Sequence, residues 1–116
     1  MAKEFDLEKR TTEFAKAVIR VCQTLPSNPI NNRIIGQAVG SSGSIGANYR
    51  EANDPLGKKD FLMRLKIARR EAKESCHWLD LLLTANLKSG EAIKPLVNEA
   101  EEFKKIFSSI INKSNI

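Results

Sequence analysis

An all-α fold, specifically an antiparallel up-down-up-down four-helix bundle, is predicted by three features of this sequence. Apolar residues recur at intervals of three and four along four separate stretches. Breaks built from Pro, Gly, Asn and Asp divide those stretches. β-branched residues form no alternating runs, so the period-two signature of strands is missing. A chain of 116 residues has material for one core and not two, and residues 1–116 are read as a single domain.

The first helix is expected from about Asp6, a residue type suited to the N-cap, to Leu25. Leu7, Phe14, Val18, Val21 and Leu25 keep helical spacing along it, and Pro26, Asn28 and Pro29 break the chain after it. The second is expected from about Asn31 to Ala52, with Ile34, Ala38, Ile45 and Tyr49 as its apolar face. It carries Gly36, Gly40, Gly43 and Gly46. Each costs about 1 kcal/mol of helix propensity against alanine, so propensity supports this helix least of the four. Asn53-Asp54-Pro55-Leu56-Gly57 reads as a loop.

The third helix is expected from about Lys58 to Ala85. Phe61, Leu65, Ala68, Ala72, Ser75, Leu79 and Leu82 alternate steps of four and three residues, an unbroken heptad pattern. After a turn around Asn86 to Gly90, the fourth helix begins between Ser89 and Pro95, because proline is tolerated near a helix start. Ile93, Leu96, Val97, Ala100, Phe103, Phe107, Ile110 and Ile111 form its stripe. Amphipathic helices joined by short connections give the up-down-up-down order.

Hydrophobic residues make up 41% and charged residues 28% of the chain, a folded rather than disordered balance, and the 6% aromatic content leaves the core mainly to aliphatic side chains. No apolar run approaches the length of a membrane span, and the charged start Met1-Ala2-Lys3-Glu4-Phe5-Asp6 lacks a signal peptide's apolar stretch, so a cytoplasmic protein is expected. Cys22 and Cys76 fall on or beside the apolar faces and are expected as buried, reduced thiols.

The net charge of +5 is concentrated. Between Lys58 and Lys73 stand seven cations, opposed only by Asp60 and Glu71, so this segment alone carries the excess of five. On a helical wheel Lys59, Lys66, Arg69, Arg70 and Lys73 lie opposite or beside the heptad stripe, with His77 continuing them. Cations on one helical face can follow phosphates without reading bases. A solvated charged face is the other reading. No aromatic residues interleave the stripe, which favours backbone or shape recognition over base stacking.

Two sets of residues lie outside what a single bundle buries on its inner face. Met63, Ile67, Trp78, Leu81 and Ala85 sit away from the third helix's heptad stripe, and Gly36, Gly40, Gly43 and Ala47 cluster opposite Ile34 and Ile45. One reading is a subunit interface of a closed symmetric oligomer, drawn on Gly36, Gly40, Gly43, Ala47, Met63, Ile67, Trp78 and Leu81. The other is that Trp78 wraps the bundle edge and the glycines are tolerated.

Several chemistries are set aside. Glu74-x-x-His77 matches half of a di-iron motif, but the chain has one histidine, and His77 points away from the stripe. Cys22, Cys76 and His77 lack zinc-ligand spacing. The glycines of Gly40-Ser41-Ser42-Gly43-Ser44-Ile45-Gly46 follow no strand and precede no Gly-Lys-Ser/Thr, so no phosphate loop is read there. Glu51, Glu71 and Glu74 are expected in salt bridges with Arg64, Arg69 or Arg70 rather than as acid and base. No catalytic, cofactor-binding or metal-binding residue is assigned, and no cofactor is expected.

The run Ser44-Ile45-Gly46-Ala47-Asn48-Tyr49-Arg50-Glu51-Ala52, then Asp60-Phe61, then Ile67-Ala68-Arg69-Arg70-Glu71-Ala72-Lys73-Glu74-Ser75-Cys76-His77-Trp78-Leu79 resembles the four-helix-bundle proteins encoded in intervening sequences of bacterial 23S ribosomal RNA genes, also labelled S23. Related bundles serve as accessory proteins of diversity-generating retroelements. The resemblance spans nearly the whole chain. It implies an antiparallel four-helix bundle assembled as a ring-like homopentamer, without enzymatic activity or cofactor. It also implies, by way of the retroelement relatives, association with RNA and with a reverse transcriptase. Asn48, Glu51, Glu71, Glu74 and Trp78 match motif positions, with no established catalytic or ligand role attached to them. The expected protein is therefore a non-enzymatic oligomeric bundle that contacts RNA through Lys59, Lys66, Arg69, Arg70 and Lys73, joined by Arg50. A protein-interaction scaffold without direct nucleic-acid contact is the alternative. No membrane partner is expected.

Overall fold

The computed structural model describes residues 6–114, which form four helices: α1 (Leu7–Gln23), α2 (Pro29–Ala52), α3 (Lys58–Ala85) and α4 (Gly90–Ser114). A short 3-10 turn, Leu87–Ser89, leads into α4. Each helix packs on its neighbours in the cyclic order α1, α2, α3, α4, and among the described residues the diagonal pairs make no close backbone approach. This is the antiparallel four-helix bundle that the periodicity predicts.

The helix ends have local causes. α1 stops at Gln23, two residues before the expected Leu25, and the Thr24 hydroxyl donates to the Val21 carbonyl at 2.6 Å. Leu25 is buried all the same. α2 begins two residues before the expected Asn31, because Asn28 and Pro29 start the helix as well as break the chain. The Asn28 side chain accepts the Asn31 N–H at 2.8 Å, and Pro29 holds the first turn, where no amide donor is needed. α3 has the predicted ends, set by Gly57 and Asn86. Gly57 has φ 146° and ψ 178°, a backbone region open only to glycine, and its carbonyl accepts the Phe61 N–H. Pro95 lies in the second turn of α4, inside the helix.

Two kinds of packing hold the bundle. Small side chains are buried on both α2 and α3: Ala38, Ser41 and Ser42 on the first, Ala68, Ala72 and Ser75 on the second. The Ser75 hydroxyl donates to Ser41 Oγ at 3.0 Å, Ser41 donates in turn to the Ala38 carbonyl, and Ser42 to the Val39 carbonyl, so each buried hydroxyl has a partner. The rest of the core is bulky. Phe14 meets Phe103 edge-on at 5.4 Å, Phe103 stacks on Phe107 at 6.2 Å, and Tyr49 lies 5.8 Å from Phe107. Where α1 crosses α2, Gly46 gives Thr11 its room: a Cβ there would stand 2.9 Å from Thr11 Oγ1. Arg10 ties α1 to α4 through two parallel hydrogen bonds to Glu99, each 2.8 Å, with its guanidinium over the Phe103 ring.

Candidate nucleic-acid interface

α3 buries Leu65, Ala68, Ala72, Ser75, Cys76, Leu79 and Leu82, which fixes what its outer side presents. Lys59, Lys66, Arg70, Lys73 and His77 are all exposed there. Arg69 differs: it is half-buried against α4, where Nη1 donates to Ser108 Oγ at 3.3 Å. Lys59, Lys66, Arg69, Arg70 and Lys73 make no ion pair within the described residues. Cations outside any ion pair on successive turns form a positive field that a polyanion can enter.

The surface beneath this field is concave in two places. Toward the start of α3, Leu62, Met63 and Ile67 line a shallow pocket of about 420 Å³ flanked by Lys59, Lys66 and Arg70. Adjoining it, a cleft of about 390 Å³ between α3 and α4 is lined by Lys66, Arg69, Arg70, Lys73, Lys104 and Ser108. Lys104 and Ser108 escaped the sequence reading because a single helix's wheel does not say which neighbour borders it. They stand one turn apart on α4 beside its apolar stripe, a signal that becomes useful once α3 and α4 are paired. Lys104 pairs with Glu101 at 3.0 Å, which holds the Glu101 carboxyl below its usual range and raises the ammonium.

Arg50 does not join this face. It lies between α2 and α1, where Nη1 meets Glu8 Oε1 at 2.9 Å and Nη2 meets Thr12 Oγ1 at 3.0 Å. Its position on the α2 wheel turns it toward α1, the helix diagonal to α3. The expected salt bridges of Glu51, Glu71 and Glu74 are also not formed within the described residues. Arg64 pairs instead with Asp60, one turn away. Glu51 and Glu74 are exposed. Glu71 is half-buried, and burial raises its carboxyl above the usual range, with the Glu74 charge adding to the rise.

The residues expected at an interface are mixed in exposure. Gly36, Gly40, Gly43 and Ala47 are exposed, with open space where a Cβ at any of the three glycines would sit. Met63 and Leu81 are exposed large apolar side chains. Ile67 is half-buried. Trp78 is half-buried, packs against the core and meets the His77 ring edge-on. Cys22 and Cys76 are buried free thiols. Among the described residues no three His, Cys, Asp or Glu side chains come together as a metal site, and no helix is long and apolar enough to cross a membrane.

The family model of the 23S rRNA-intervening sequence proteins matches residues 3–109, almost the whole chain. The chain belongs to that family. As a 23S rRNA-intervening sequence protein it also has a relative in the solved structures, a protein of unknown function from the S23 ribosomal protein family of Bacteroides thetaiotaomicron. The two share 31% of residues over 90% of this chain and 96% of that one, with a TM-score of 0.77. No curated protein matches the chain.

Proposed function

We propose that this 23S rRNA-intervening sequence protein is a non-enzymatic, cytoplasmic homo-oligomer that binds RNA through the outer face of α3. One observation carries the reading: Lys59, Lys66, Arg69, Arg70 and Lys73 occupy one side of one helix, and none of them forms an ion pair within the described residues. Cations so placed gain free energy by displacing condensed counterions from a nucleic-acid backbone, a contact that needs no base recognition. The family's name, which ties it to 23S rRNA genes, agrees in kind. Assembly is supported by the exposed Met63 and Leu81 and by the bare glycine face of α2. A homopentamer is the proposed form. It would repeat the basic face five times and multiply the phosphate contacts. A nucleic-acid enzyme such as a reverse transcriptase is a compatible further partner.

The second reading, a protein-interaction scaffold, is favoured by the apolar floor of Leu62, Met63 and Ile67 between Lys59, Lys66 and Arg70, which suits an acidic amphipathic segment. The experiment that separates the two is binding of a structured RNA across a salt series. The natural protein is compared with Arg69→Glu/Arg70→Glu/Lys73→Glu. Salt-dependent binding that the triple variant loses, with helicity and assembled mass unchanged, supports the RNA reading. No binding at low salt by a correctly assembled protein rejects it in favour of the scaffold.

A further inference from the structure

The geometry points to the cleft between α3 and α4, rather than the α3 face as a whole, as the place where RNA phosphates are bound, with Arg69 and Lys104 as its inner cations and Ser108 as a hydroxyl donor. The inference rests on the RNA-binding reading above and narrows it to one site. Five cations, Lys66, Arg69, Arg70, Lys73 and Lys104, surround this concavity from two helices. Among the described residues Lys104 is the one cleft cation in an ion pair, with Glu101, while Glu71 acts on Arg70 only through the field between their charges. Arg69 is half-buried yet faces a hydroxyl instead of a carboxylate, so most of its planar fork of donors is left for an incoming anion. Ser108 accepts from Arg69, and its own proton has no acceptor within the described residues. A phosphate oxygen supplies both missing partners.

The neighbouring pocket is a poorer anion site. Its floor is Leu62, Met63 and Ile67, which offer an anion no hydrogen bond. The polar cleft runs from Lys66 to Lys73, roughly 10 Å of helix at 1.5 Å per residue. One strand of a duplex presents about three phosphates over that length. A cleft lying along the duplex axis therefore takes about two or three successive phosphodiesters of one strand.

The test uses the full chain and a fluorescent RNA duplex, titrated at several salt concentrations. Arg69→Gln/Lys104→Gln is expected to lower the slope of log affinity against log salt by about 2, one for each phosphate contact removed. Lys105→Gln, one residue from the cleft and outside it, leaves the slope unchanged. Glu101→Gln releases Lys104 and strengthens binding, a change of opposite sign that a fold defect does not produce. RNA binding whose slope and strength are unaltered in Arg69→Gln/Lys104→Gln overturns the cleft while leaving the RNA reading intact. Absence of RNA binding by the natural protein overturns both.

Discussion

The side-chain amides of Asn31 and Asn86 hydrogen-bond each other in both directions, Asn31 Nδ2 to Asn86 Oδ1 at 3.0 Å and Asn86 Nδ2 to Asn31 Oδ1 at 2.8 Å. Each amide also donates to a backbone carbonyl, of Pro26 and of Leu82 respectively. The pair thereby fastens the start of α2 to the end of α3, with Asn31 almost wholly out of solvent. Removing one partner strands the other's polar atoms. Asn31→Ala is expected to cost about 1–3 kcal/mol. In a urea-denaturation double-mutant cycle, Asn31→Ala/Asn86→Ala should cost less than the sum of the singles by at least about 0.5 kcal/mol. Strict additivity would show that the two amides act independently.

The α2 glycines separate into two classes with opposite expected effects. Gly46→Ala puts a methyl against Thr11 Oγ1 and is expected to destabilise the fold by about 1–3 kcal/mol through overpacking. Gly36→Ala, Gly40→Ala and Gly43→Ala meet open space, and each should stabilise the isolated bundle by up to about 1 kcal/mol. If this face docks a second copy, the same three substitutions weaken assembly while raising the melting temperature of the dilute monomer. Sedimentation and thermal melts, run on the same samples, read the two effects apart.

Glu71 predicts a pH dependence of definite sign. Its carboxyl is raised in the fold by burial and by Glu74, so folding disfavours the ionised form. No penalty exists below the ordinary carboxylate value, where folded and unfolded chains are both protonated. Stability is lost as pH rises through the ordinary value toward the raised one, and the loss persists above it. Glu71→Gln is therefore expected to raise the melting temperature at pH 7 and to change nothing below about pH 4. A lower melting temperature at pH 7 would show that Glu71 finds a cation in the assembled protein.

The thiols should be silent in the folded state. Burial, followed by the Glu101 charge, pushes Cys76 up to about 11, and burial raises Cys22 as well. Thiolate is the reactive form. A disulfide-exchange reagent at pH 8 should modify neither residue in native protein and both in denaturant. Rapid native labelling would show that the helices open around these positions.

How much of this was legible in the sequence varied with the range of the interaction. The heptad of α3 gave both of its ends and its buried face, because one period and two loop signals act within a few residues of one another. Asn28-Pro29 reads as a break but also starts α2, because an Asn cap followed by proline serves either purpose. The partners of charged residues were not legible. Arg50 went to Glu8 on the neighbouring helix, Arg64 to Asp60 one turn back on its own, and Glu71 formed no ion pair within the described residues; a wheel shows which residues share a face, not which rotamer or neighbour each charge takes. For the same reason the basic face was read on α3, but its extension onto Lys104 and Ser108 was not.

Trp78 is the chain's single tryptophan, and it is half-buried where α3 meets the bundle edge. At 100° per residue it stands about 120° around the helix from Lys66 and about 140° from Lys73. The fold has thus placed an intrinsic optical reporter on one flank of α3 and the cationic cleft on the other. Self-association over Met63 and Leu81 would dry the indole and shift its emission to the blue, whereas an anion held against α4 would leave its surroundings wet. Emission spectra alone can therefore distinguish a bundle meeting its own kind from a bundle meeting a polyanion, with no dye attached and no residue changed.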